Sequence, residues 1–143
     1  MAGTFTTTVQ EHKFPNMGKR ARIVRVDWVG DAADGTVPNI PLTLNGYIVK
    51  VITIPGSPAP TASYNVKLFD PDAATLDCLI NLLAARSATV AEQVYPAPAT
   101  GQNPILVVSG RDSAGARNYQ LNISGNVVNS AKGAVLLYVL EDT

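Results

Sequence analysis

The chain has 143 residues, of which 46% are apolar and only 15% charged, against about 25% in ordinary soluble domains. Eleven acidic residues balance eleven basic ones, a neutral total that argues against nucleic acid as the main partner. This length supports one domain with its own core and no need of a disulfide or metal, and no apolar run is long enough for a membrane-spanning helix.

The first element is Phe5-Thr6-Thr7-Thr8-Val9, a Thr-rich alternating stretch that reads as an edge strand or an extended arm. Residues 13–19 contain Pro15, Asn16 and Gly18 and read as a loop. A strand with one charged face follows over residues 21–29, ending in the turn around Asp34-Gly35. Pro38 and Pro41 restrict their stretch to loop or sheet edge. Residues 47–54 are apolar at nearly every position, as in a central strand, and the run Pro55-Gly56-Ser57-Pro58-Ala59-Pro60 stops them. Residues 64–70 alternate, with Tyr64, Val66 and Leu68 expected inward and Asn65 and Lys67 outward.

Residues 73–86 break the pattern. Leu76, Leu79, Ile80, Leu83 and Ala84 recur at helical spacing, and Asp72 or Thr75 offers a cap, so a short helix is expected there. Strand character returns over residues 89–95. A second proline-rich loop covers residues 97–104, and strands follow at 105–109 and 119–124. The terminal run 132–140 is almost wholly apolar and requires cover on both faces, which the strand at 47–54 and a partner would share. The expected fold is all-β, an antiparallel β-sandwich or jelly roll with one short helix near 73–86. Residues 1–20 form an arm or edge strand and loop, and residues 21–143 a single β-sandwich domain.

Groups able to do chemistry are sparse. His12 is the single histidine, so no Ser-His-Asp or multi-histidine metal site can be assembled within one chain. Asp70, Asp72 and Asp77 lie close in sequence, but their spacing does not match a calcium loop, and Asp-Pro-Asp is an ordinary turn. An enzyme here would have to work with carboxylates alone, such as Asp70 with Asp72 or Glu92 with a distant partner. Cys78 is the one cysteine and reads as a small buried thiol. No glycine-rich phosphate loop is present, and Asn122-Ile123-Ser124 matches a glycosylation sequon by chance. No cofactor, metal or small-molecule ligand is expected. Lys13, Lys19, Arg20, Arg22 and Arg25 make the first quarter locally basic, diluted by Glu11 and Asp27. This reads first as a solvated face, then as a patch for an acidic protein surface, and last as a nucleic-acid site, because no aromatic residues interleave with them.

The stretch Leu83-Ala84-Ala85-Arg86-Ser87-Ala88-Thr89-Val90-Ala91-Glu92-Gln93, the later Tyr119-Gln120-Leu121-Asn122-Ile123-Ser124-Gly125-Asn126 and the closing Ala131-Lys132-Gly133-Ala134-Val135-Leu136-Leu137-Tyr138-Val139 resemble small β-sandwich proteins of tailed bacteriophage virions. The resemblance covers about half of the chain and lies in texture and order, without a chemical motif. It implies a non-enzymatic virion structural protein, most like a capsid decoration (cement) protein. Such a protein would be a homotrimer bound to the major capsid protein on the capsid surface. The alternatives it leaves are a tail or head-tail component, or a receptor- or carbohydrate-binding module. The N-terminus has neither the charged nor the apolar region of a signal peptide, so synthesis in the host cytoplasm is expected. Phe5, Thr7, Val9, Lys19, Arg20, Arg22 and Arg25 are the expected interface residues, the first three by adding a strand to a neighbour's sheet.

Overall fold

The computed structural model describes residues 3–79, 82–96, 105–109, 111–112, 115–116 and 118–142. β1 (Thr4–Phe14) and β2 (Lys19–Val29) form a long hairpin around a single 3-10 turn, Pro15–Met17. The proline ring presets the backbone at the turn's first position, and Gly18 leaves it in the left-handed region at φ 62°. There follow β3 (Ile40–Leu42), β4 (Asn45–Pro55), β5 (Asn65–Asp70), β6 (Ala73–Asp77), β7 (Glu92–Val94), β8 (Ile105–Val108), the small pair β9 (Arg111–Asp112) and β10 (Gly115–Ala116), β11 (Tyr119–Ser124) and β12 (Lys132–Asp142).

These strands make a large and a smaller antiparallel sheet. The large one runs β1-β2-β12-β4, with β7 and β8 on different stretches of β4. The smaller runs β3-β11-β5-β6. The sheets pack face to face in a sandwich-like, all-β arrangement. Val24, Val26, Trp28, Ile48, Val51, Val135, Leu137 and Val139 face inward from the large sheet; Ile40, Leu42, Val66, Leu68, Leu121 and Ile123 meet them from the smaller. Each fully buried aliphatic side chain contributes about 1.5–3 kcal/mol of hydrophobic stabilisation. Tyr64, Val66 and Leu68 point inward as the alternation demands.

Trp28 anchors this core at 1% exposure and tilts against Tyr64, ring centroids 5.8 Å apart. Its indole lies over the backbone of β12 at Gly133, its cross-strand partner. A Cβ on Gly133 would fall 2.5 Å from the indole ring, so only glycine fits beneath it.

The loops at one end of the sandwich are tied by Asn126. Its Nδ2 donates to the Gly35 carbonyl at 2.7 Å and the Val128 carbonyl at 3.2 Å, and its Oδ1 accepts from the Thr61 amide at 3.0 Å. Ala131 accepts from the Gly30 amide, while Lys132 accepts from Gly56 and donates to Pro58. The expected Asp34-Gly35 turn lies here. The Thr36 amide and hydroxyl both donate to Asp34, and these bonds hold its carboxyl below the usual range.

The helix expected near 73–86 is not there. Residues 73–77 form β6, paired with β5 through Asp70↔Ala73 and Phe69↔Asp77; residues 78–79 and 82–85 are turns and irregular chain beside β5, and Arg86 makes a single antiparallel bridge to Tyr64. Two carboxylates decide this. Asp70 accepts from the Asp72 amide at 2.8 Å, closing a tight turn at Pro71. Asp77 accepts from the amides of Leu68 at 3.1 Å and Leu79 at 3.0 Å, bonds a helix would forbid. Leu79 and Leu83 are fully buried, but Leu76 is 59% exposed, so the helical spacing joined residues that face different ways. Ile80, the 97–104 loop and parts of 110–117 lie outside the described residues. β3 carries Pro41 at a sheet edge, where the missing amide breaks no ladder.

Candidate functional site

The region that stands out is β1 and the part of the large sheet beside it. β1 pairs with β2 along its whole length, from Thr4↔Val29 to Phe14↔Lys19, yet all eleven of its residues are exposed. Phe5, Val9 and Phe14 are 39%, 45% and 43% exposed, and Met17 in the turn 70%. A strand outside the sandwich on both faces has nothing packed over it. Its outer rim carries the amides and carbonyls that face away from β2, which is where another strand adds.

The other edges among the described residues are shorter. β3 has three residues and a proline, β6 has five and a bulge, and β7 and β8 have three and four. β1 has no proline, and its stretch Thr4 to Gln10 carries no charge. Short or proline-bearing edges are the usual protection against unwanted pairing, and β1 lacks it.

Strand alternation divides the seven expected interface residues between two faces. Phe5, Thr7 and Val9 pair with Trp28, Val26 and Val24, and so share the core-side face with Arg20 and Arg22. Lys19 and Arg25 fall on the opposite, outer face. The arginines are paired as well. Glu141 accepts from both Arg20 and Arg22, the latter at 3.3 Å, and Glu11 lies 3.4 Å from Arg22 and 3.9 Å from Arg20. The Glu141 hydrogen bond, then its charge, holds the Arg20 guanidinium above its ordinary pKa. Arg25 is held up mainly by hydrogen bonds at 3.1 Å to Asp27. The three arginines of the basic quarter are thus held in ion pairs on two surfaces.

The outer face of the large sheet escaped the sequence reading. Ile23, Leu136, Tyr138, Ile52 and Ile54 lie on it, half-buried only, with the Lys50 ammonium 4.3 Å above the Tyr138 ring. The terminal run was expected to need cover on both faces and residues 47–54 read as a central strand, but apart from Ala134 their fully buried side chains lie on the inner face. Their lack of alternation was the signal for this apolar outer face. A shallow hollow of about 220 Å³ opens there between Thr8, Gln10, Ile23, Arg25 and Leu136. Another of about 260 Å³ lies at the sheet's end, lined by Lys19, Asn45, Gly46, Tyr47, Leu140 and Glu141.

The remaining candidates are engaged in structure. Besides its turn, Asp70 accepts from the Cys78 thiol at 3.7 Å, and burial first, then that carboxylate, pushes the thiol up to about 11. Glu92 accepts from the Ser87 amide at 2.6 Å and lies 3.7 Å from Arg86. Asn122 sits in β11 and donates to Asn39 at 2.9 Å. Among the described residues no group of three or more His, Cys, Asp or Glu side chains could hold a metal ion, and no helix is long and apolar enough to cross a membrane.

No protein-family model, curated protein or solved structure matches the chain.

Proposed function

We propose that this protein is a non-enzymatic structural component of a tailed-phage virion, a capsid decoration protein acting through contacts with other copies of itself and with the major capsid protein. It is made in the host cytoplasm and resides on the capsid surface. The observation that carries the reading is β1, eleven residues exposed on both faces along a free edge that is uncharged from Thr4 to Gln10. The half-buried apolar outer face and the charge-poor composition support it, since surfaces of this kind associate. Large permanent interfaces likewise resemble a core cut in half.

The test is the fate of the protein in particles. Virions of the phage encoding it are separated into heads and tails, and each fraction is quantified by mass spectrometry. Stoichiometric recovery with heads, together with saturable binding of the purified protein to stripped shells, is the expected result. Recovery with tails replaces the reading by a tail or head-tail component, and absence from both fractions overturns it.

A further inference from the structure

We infer that β1 is the docking site for the β1 of a second copy of this chain, paired antiparallel about a two-fold axis through Val9. In an antiparallel ladder, directly opposed residues share a face and a hydrogen-bonding class, so a strand pairing with its own copy has only registers centred on a residue. Centring on Val9 alone pairs the whole strand, Thr4 to Phe14. It sets Val9 against Val9, Thr8 against Gln10, Thr7 against Glu11, Thr6 against His12, Phe5 against Lys13 and Thr4 against Phe14.

The chemistry of those pairs is complementary. No like charges oppose each other. The Lys13 ammonium meets the Phe5 ring, and hydroxyls meet an amide, a carboxylate and an imidazole. A slip of two residues in either direction shortens the ladder and places Glu11 opposite an apolar side chain, Val9 in one case and Phe5 in the other. Because every β1 residue is exposed, an incoming strand meets no wall on either face. Eleven residues a side fall below the roughly 20–30 of a standard stable interface, so the pair forms in a concentration-dependent way, held chiefly by main-chain hydrogen bonds. The closure is isologous and differs from the trimer implied by the phage resemblance. It requires only the edge and is independent of any virion.

Sedimentation equilibrium on the full chain, from low to high micromolar concentration, tests it. The expected species is twice 15.1 kDa, in exchange with monomer. Val9→Lys and Val9→Glu each place like charges across the axis and weaken self-association by at least about tenfold. Mixing the two variants restores a dimer, because the positions now oppose with unlike charge. Under mild oxidation Val9→Cys forms a disulfide-linked dimer, since directly opposed strand residues lie within disulfide reach. Phe5→Cys does not, because it faces Lys13. The wild-type control does not cross-link either, the Cys78 thiol having been pushed up to about 11. A monomer throughout the range, a mass of three chains, or failure of the Lys and Glu variants to recombine overturns the inference. Head binding in virions is unaffected by that result, so the two readings fail separately.

Discussion

β1 and β12 flank the same strand and have the same length. Each pairs eleven residues with β2, so their main-chain ladders are matched. Val24 makes the contrast local: it lies between Val9, 45% exposed, and Leu137, fully buried. What separates the strands is cover. β12 has β4 on its far side and the smaller sheet across its inner face, whereas β1 has solvent. A ladder without cover yields a strand, and only a ladder with cover yields a core. A hydrogen bond made in exchange for one to water contributes about 0.5–1.5 kcal/mol, while covered apolar area contributes more per residue.

If the ladder alone held this sheet, equivalent changes in its two outer strands would cost the same. Leu137→Ala should instead cost about 2–5 kcal/mol in denaturant unfolding, because it leaves a cavity in the core. Gly133→Ala, which drives a Cβ into the Trp28 indole, should cost about 1–3 kcal/mol and blue-shift the tryptophan emission less than wild type. Asn126→Ala strands the Gly35 carbonyl and the Thr61 amide and should cost about 1–3 kcal/mol, with faster amide exchange at residues 30–36 and 61. Val9→Ala, directly across Val24 from Leu137, should stay within about 0.5 kcal/mol. Equal losses at Val9 and Leu137 would break the comparison. A Val9 loss that grows with protein concentration would sharpen it, by showing that β1 acquires its cover from another chain.

Period-two alternation is enough to read β5 and β11 of the smaller sheet, whereas β6 reads as helix. Tyr64, Val66 and Leu68 turn inward as their spacing demands, and the Asp-Gly turn falls where expected. The full extent of β1 was less legible: only residues 5–9 read as strand and 13–19 as loop, whereas β1 runs on to Phe14; an exposed strand tolerates charge on both faces, which blurs the signal. The helix near 73–86 failed for a different reason. Leu79 and Leu83 are core residues at helical spacing, but the bonds from Asp77 to the backbone on both sides of it bind the chain into turns. Pairing order was out of reach, since nothing local tells β12 to enter between β2 and β4. For the candidate site, Phe5, Thr7 and Val9 were legible as a free strand. That Arg20 and Arg22 share one face and Arg25 another follows from strand alternation, but their pairing was only half legible: Asp27 lies beside Arg25 in sequence, whereas Glu141, the partner of Arg20 and Arg22, arrives from more than a hundred residues away.

The insertion of β12 also orders events in time. The β1–β2 hairpin joins residues that are neighbours along the chain and can close early, within microseconds of its emergence. β12 pairs Lys132 with Val29 on one side and Gly133 with Pro55 on the other, so both of its partners keep open flanks until β12 has been made. Until the last strand docks, β2 has only the hairpin on one side and a raw edge on the other, and Trp28 lacks the Gly133 backbone on which it rests. The nascent protein therefore closes its large sheet only once β12 has been made, and a chain arrested before β12 would present two sticky strand edges to its neighbours on the polysome.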